Sequence, residues 1–198
     1  MGRKPLKRIV ITGGPCSGKS STINELKRLM GERWHFVPEV STILMNQVGI
    51  RPCEFLSPRQ FQKAVRGIQI ILEKATAEFA MAEGKEALII DRGTMDNAVY
   101  LPGFVPEFEE LFGTTSEREY SWYDLVICLD IPPEEIYNQM RSNNPARSED
   151  YALAKEIAEL TRVAWRGHTD FIFIENTFNW DRKLSNVIET IENFLKES

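Results

Sequence analysis

The sequence predicts an α/β domain built on a five-stranded parallel sheet with helices on both faces. Two observations carry this. Five short apolar runs alternate with longer stretches of helical periodicity, and the first run ends in a glycine-rich loop leading into a helix. The runs span 7–12, 34–37, 86–90, 124–130 and 170–174. In such sheets ligands collect beyond the carboxyl ends of the strands, so the residues just after each run carry the functional information.

The first run, with Ile9, Val10 and Ile11, is followed by Gly13, Gly14, Pro15, Cys16, Ser17, Gly18, Lys19 and Ser20, then Ser21. This is the P-loop pattern GxxxxGK(S/T). Glycines let successive backbone N–H groups turn onto phosphate oxygens, and the next helix adds its positive N-terminal end. Lys19 is expected to reach the β- and γ-phosphates, and the Ser20 hydroxyl to hold Mg2+. The helix that follows carries Ile23, Leu26, Leu29 and Met30. Strand, loop and helix together give the three-layer P-loop NTPase fold.

After the second run come Val37, Pro38, Glu39, Val40 and Ser41. Glu39 is either a general base facing the loop across the rim or a helix-start carboxylate complementing the dipole. Ser57, Pro58 and Gln60 then form a capping box with proline at the first helical position. The helix they open runs to Gly84 with an apolar stripe of Phe61, Val65, Ile68, Leu72, Ala75, Phe79 and Ala82. Gln62, Arg66 and Gln69 form a separate polar line, either solvated or in contact with substrate.

The third run, Ala87 to Ile90, ends in Asp91, Arg92 and Gly93. Four apolar residues followed by Asp is the Walker B arrangement, which delivers a carboxylate to the Mg2+ shell. Arg92 either meets a phosphate or pairs with a carboxylate, and Asp96 lies one helical turn on. Residues 102–123 break the spacing with Pro102, Gly103, Pro106 and Gly113 and many aromatics. They read as a helical or irregular insert packed over the rim, whose rings either stack a base or form its own small core.

The fourth run ends in Asp130, a rim carboxylate or a cap, and Glu134 and Glu135 start a helix that reaches Arg141. A polar, breaker-rich lid loop follows at about 142–150. Arg147 on it is expected to close on the transferring phosphoryl group, with Arg141 the second candidate. The next helix carries Arg162, and His168 before the last strand reads as a turn or packing histidine. A terminal helix with Leu184, Val187, Ile188, Ile191, Phe194 and Leu195 closes the sheet.

Bulk properties bound the function. The chain has 198 residues, 42% hydrophobic and 27% charged, which suits one domain spanning 1–198. A net charge of −5 gives no reason to expect a nucleic-acid partner. No apolar stretch is long enough for membrane insertion. Cys16, Cys53 and Cys128 lack paired spacing, which fits a reducing, cytoplasmic setting. Cys128 reads as core; Cys16 is either redox-sensitive through the loop's positive field or a small filler. The oligomeric state is left open.

On GGPCSGKS, Pro38-Glu39, DRGTMDNAVYL from Asp91 and LDIPPEEIYNQMR from Leu129, the chain resembles the small P-loop kinases of the thymidylate and deoxynucleoside group. More closely it is similar to the AAA-type ATPase-like family that includes the ribosylnicotinamide kinase domain of bacterial NAD regulators and the nucleotide-binding domain of TRP-channel translocation-defect proteins. The stretch RSEDYALAKEIAELTRVAWRGHTDFIFIEN is similar to the end of the latter domain. The resemblance implies Mg-nucleotide on Gly13 to Ser20 and an acceptor near Glu39, Asp91 and Arg92. Phe61 and Gln62 look like the pair with which deoxynucleoside kinases hold a base. Gly93 departs from both kinase groups, which have an aromatic or a serine there, so the acceptor stays open. The translocation-defect proteins carry a further C-terminal domain, for which this chain leaves no room.

The leading expectation is an ATP-dependent kinase acting on a small-molecule phosphoryl acceptor, a nucleoside or nucleotide, with ATP and Mg2+ as cofactors. Its catalytic residues are Lys19, Glu39, Asp91 and Arg147; its acceptor contacts are Glu39, Gln62, Arg66 and Arg92. The rival is a nucleotide-operated switch that signals through a partner, using the 102–123 segment and the basic N-terminus, with Arg3, Lys4, Lys7 and Arg8, as contact surfaces.

Overall fold

Along β1 (Lys7–Gly13) successive side chains leave opposite faces of the sheet, and this alternation divides the core in two. Ile9 and Ile11 join Ile89, Leu125 and Ile127 on one face; Val10 joins Leu88, Ile90 and Val126 on the other. The computed structural model describes residues 5–52, 56–142, 150–177 and 179–197. Its remaining strands are β2 (Trp34–Val37), β3 (Ala87–Asp91), β4 (Leu125–Leu129) and β5 (Phe171–Ile174). All pair in parallel in the order β2-β3-β1-β4-β5, so β1 is central and its loop opens mid-sheet.

Helices α1 (Lys19–Met30) and α8 (Trp180–Glu197) cover the first face through Ile23, Leu26, Val187 and Ile191. Burying such side chains contributes about 1.5–3 kcal/mol each. The short α2 (Val40–Ile43) follows β2. The second face is covered by α3 (Pro58–Glu83), a 3-10 segment (Thr94–Tyr100), α4 (Phe104–Phe112) and α7 (Tyr151–Trp165). Helices α5 (Ser116–Tyr120) and α6 (Glu134–Ser142) complete the chain. Among the described residues no helix is long and apolar enough to cross a membrane.

The capping box of α3 forms as expected: Ser57 Oγ accepts from Gln60 N–H, the Gln60 side chain accepts from Ser57 N–H, and Gly84 ends the helix in the left-handed region. The stripe is corrected. Ile68 and Phe79 are exposed, and the inward line runs Phe61, Gln62, Val65, Gln69, Glu73, Ala77 and Ala80. Polar side chains occupy its middle because buried partners meet them there: Gln69 donates to Glu73, and Glu73 also receives Arg8 and the Tyr123 hydroxyl.

The insert is helical, and what its rings pack on is corrected. Residues 102–123 fold into α4 and α5 and pack against the second face, where Phe108, Tyr123 and Trp165 share one apolar cluster. Tyr120 Oη donates to the Ala164 carbonyl at 2.6 Å and Tyr123 Oη accepts from Thr94 N–H at 3.0 Å. The rings are spent on the main core, which needs cover there, and neither form a separate core nor line the cavities described below.

Candidate active site

The loop between β1 and α1 places two glycines at positive φ. Gly13 has φ +146, and a Cβ there would overlap the Leu129 carbonyl; Gly18 has φ +86 and caps α1. Ser17 N–H donates to the Gly14 carbonyl at 3.2 Å, closing the turn. A cleft of about 150 Å3 lies over this turn, lined by Gly14 through Ser21 with Glu39, Arg92 and Met140. Such a turn of inward amides at a helix N-terminus is chemically suited to phosphate oxygens.

Lys19, buried at 6% exposure, reaches across the cleft. Its Nζ lies 2.5 Å from Asp91 Oδ1 at the end of β3 and 3.4 Å from Glu39 Oε2 after β2. Arg92 then meets Glu39 Oε1 through Nε at 2.8 Å and Asp96 Oδ1 through Nη1 at 2.9 Å. Ser41 and Thr42 hydroxyls also donate to Glu39, at 2.9 and 3.1 Å. Glu39 precedes α2 but makes no side-chain bond to that helix's N–H groups; it faces the cations. Burial pushes its carboxyl up, but Arg92 and Lys19 outweigh this and hold it down at about 2. For Asp91, burial and the Glu39 charge outweigh Lys19, and its carboxyl is raised. Asp91, tied to the loop through Lys19, and the exposed Ser20 offer oxygen donors of the kind Mg2+ favours. Among the described residues no cluster of three or more His, Cys, Asp or Glu forms a protein-only metal cage.

Asp96 organises the far side. Its Oδ1 accepts from Thr12 Oγ1 and Arg92, and its Oδ2 from Gly93 N–H and Trp165 Nε1–H, both at 3.0 Å. Arg92 sits at φ +66, an uncommon backbone for a side chain of this size, and Gln69 Nε2–H holds its carbonyl at 2.8 Å.

A family model described as AAA domain matches residues 8–183. The chain belongs to that family. Among solved structures, this AAA domain superposes on "NadR protein in complex with NAD and AMP-PNP" with a TM-score of 0.69 at 13% identity, covering 98% of this chain and 51% of that one. "NadR protein in complex with NR" gives a TM-score of 0.68 at 15% identity, with 98% and 53% covered. The AAA domain thus spans about half the length of those chains and shares their P-loop NTPase fold. A comparison with curated proteins gives no match.

Adjoining the loop cleft, the AAA domain has a second cavity of about 490 Å3 between α2, α3 and the end of β3. Both cavities are lined by Pro15, Glu39 and Arg92, so they meet at Glu39. Gln62 lines the larger one with Phe61, Asn97 and Tyr100. Arg66 does not, and its expected acceptor contact is corrected. It bonds Glu119 at 2.6 Å and faces the rings of Phe108, Phe112 and Trp122, partners that the inward packing of the insert supplies. Arg162 pairs with Glu159 beside the Phe173 ring. Arg141 belongs to α6, with its side chain outside the description; Arg147 and most of the lid loop lie outside the described residues.

Four smaller expectations resolve. Cys16 is buried against Tyr137 and Ala154, in keeping with a filler, and burial pushes the Cys128 thiol up to about 12. Asp130 stays at the rim as a carboxylate, accepting from Ile131 N–H at 2.9 Å and from Asn176 N–H, beyond β5, at 3.3 Å, and these bonds are not to the first N–H groups of α6. His168 bridges the Tyr123 carbonyl and Asp170 N–H in a turn, which requires the neutral tautomer with the proton on Nε2. Sequence reasoning passed over Gln69 and Asp96 as structural partners of Arg92. Asp96 had a signal in its i, i+4 spacing from Arg92; Gln69 had only helical spacing.

Proposed function

We propose that this AAA domain is an ATP-dependent phosphotransferase that moves a γ-phosphoryl group to a hydroxyl or phosphate of a small acceptor, a nucleoside or nucleotide. The observation that carries this reading is the meeting of the loop cleft and the 490 Å3 cavity at one carboxylate, Glu39. A nucleotide in the first and an acceptor in the second would bring their reacting atoms to it.

Loop amides and Lys19 hold the β- and γ-phosphates. Ser20 and Asp91 would hold Mg2+, which supplies charge neutralisation between those phosphates when bound. Arriving phosphates draw Lys19 from Asp91 and Glu39, and losing that cation raises the affinity of Glu39 for a proton. For a hydroxyl acceptor, its oxygen forms the new bond to the γ-phosphorus as the bond to the departing ADP oxygen breaks, and its proton passes to Glu39. Arg92 orients Glu39 and the acceptor, and Gln62 supplies an amide to it. Arg141 and Arg147 are proposed to close on the nucleotide. The cysteine pattern suits a cytoplasmic setting.

The test is ADP release from the protein with Mg-ATP against nucleosides and nucleoside monophosphates, with Lys19→Ala as blank. One member should raise ADP release and gain a phosphate by mass. A flat panel over intact ATP binding overturns the reading. The aromatic surface on which the switch reading partly relied is largely committed to the core: Phe108 and Tyr123 are buried, and Phe104, Phe112, Tyr120 and Trp122 are half-buried against them.

A further inference from the structure

A buried cation that the proposed reaction does not use lies against the phosphate loop. Lys183, in the first turn of α8, is 3% exposed and lines neither cavity. Its ammonium donates to the Ser17 carbonyl and to the Asp130 carbonyl, both at 2.8 Å. One turn earlier Trp180 lies on Gly18, 3.0 Å from the point a Cβ would occupy. The start of α8 therefore shoulders the loop at two consecutive residues. Removing an ammonium from water is costly, and packing alone would be served as well by a methionine.

The Ser17 carbonyl belongs to the same peptide unit as the Gly18 N–H, at the junction of loop and helix. A cation on the oxygen polarises that unit and strengthens its N–H as a donor. We propose that Lys183 is a positioning residue of the nucleotide site: it clamps the Ser17–Gly18 peptide from behind and strengthens the loop's hold on the nucleotide phosphates. The proposal rests on the reading that this loop binds Mg-ATP.

The charge is titratable in a useful range. Burial lowers the Lys183 pKa to about 8, with Asp130 and Cys128, at the end of β4, opposing. From the loop side it meets a neutral carbonyl. The cation is present below this pKa and lost as pH rises through it, so ATP affinity should be highest below and fall above.

The experiment measures the Kd of Mg-ATP for wild type, Lys183→Met and Lys19→Ala from about pH 7 to about pH 9.5, with thermal melts as a check on folding. Wild-type affinity should fall by about tenfold across the range, the scale of one hydrogen bond to a charged group. Folded Lys183→Met should bind about tenfold more weakly at the low end and show none of that pH dependence. A flat wild-type profile overturns the proposal even if the variant does not fold, as does wild-type affinity in a folded Lys183→Met. Absence of ATP binding by wild type, equal to Lys19→Ala, instead brings down the underlying nucleotide reading and this inference with it.

Discussion

Replacing Gly93 by alanine should damage this protein through one side chain. Gly93 has φ −93, so the backbone accepts any residue and the effect is purely steric. A Cβ there would stand 2.5 and 2.6 Å from Cζ2 and Cη2 of Trp165 and 3.0 Å from Val10 Cγ2. Carbon atoms pack at about 3.5–4.0 Å, so the indole must recede by roughly 1 Å. It is fully buried and in ring contact with Tyr120 and Tyr123, so its recession displaces packed neighbours. Its Nε1–H bond to Asp96 is 3.0 Å long, and a shift of that size breaks it. Overpacking costs about 1–3 kcal/mol and the lost buried bond about 1–3 more, so Gly93→Ala should destabilise by roughly 2–5 kcal/mol.

Equilibrium urea unfolding of Gly93→Ala, Trp165→Phe and the double variant measures this. The smaller ring relieves the overlap, so the alanine should cost at least about 1 kcal/mol less in the phenylalanine background. A Gly93→Ala protein within about 0.5 kcal/mol of wild type, or equal costs in both backgrounds, refutes the reasoning. Asp96 also anchors Arg92, so acceptor KM should rise while ATP affinity holds.

Two further outcomes test the site. Arg66→Ala leaves the Glu119 carboxylate, 0% exposed, without its cation, and should cost about 3–5 kcal/mol in denaturant unfolding while acceptor KM stays unchanged in the folded fraction; a raised KM at unchanged stability restores Arg66 to the acceptor pocket. Glu39 is held at about 2 in the free protein, so it stays ionised as pH falls through the ordinary carboxylate range, and the stability its ion pairs give is present above about 4.5 and lost only toward 2. The kcat/KM profile of the free enzyme should accordingly show no acid limb near pH 4.5 that depends on Glu39; an acid limb in that region abolished by Glu39→Gln contradicts it.

What the sequence determined by itself was local or tied to strand ends. The phosphate loop needs its glycines within eight consecutive residues, so chain geometry writes it in the sequence. Asp91 and Glu39 were legible because parallel strands deliver whatever follows them to one rim. The capping box at Ser57 and the stop at Gly84 were likewise local.

The tertiary structure decided the rest, because it depends on what each face meets. Gln69 and Arg66 lie three residues apart on one helix with the same polar character, yet Gln69 turns to the Arg92 carbonyl and Arg66 to Glu119. Ile68 and Phe79, apolar and in helical register, were left outside because the inward positions already carried a satisfied polar network. Lys183 stands 166 residues from Ser17, and no periodicity announces their contact. A buried polar group goes where partners exist to satisfy it, and only the folded chain supplies those partners.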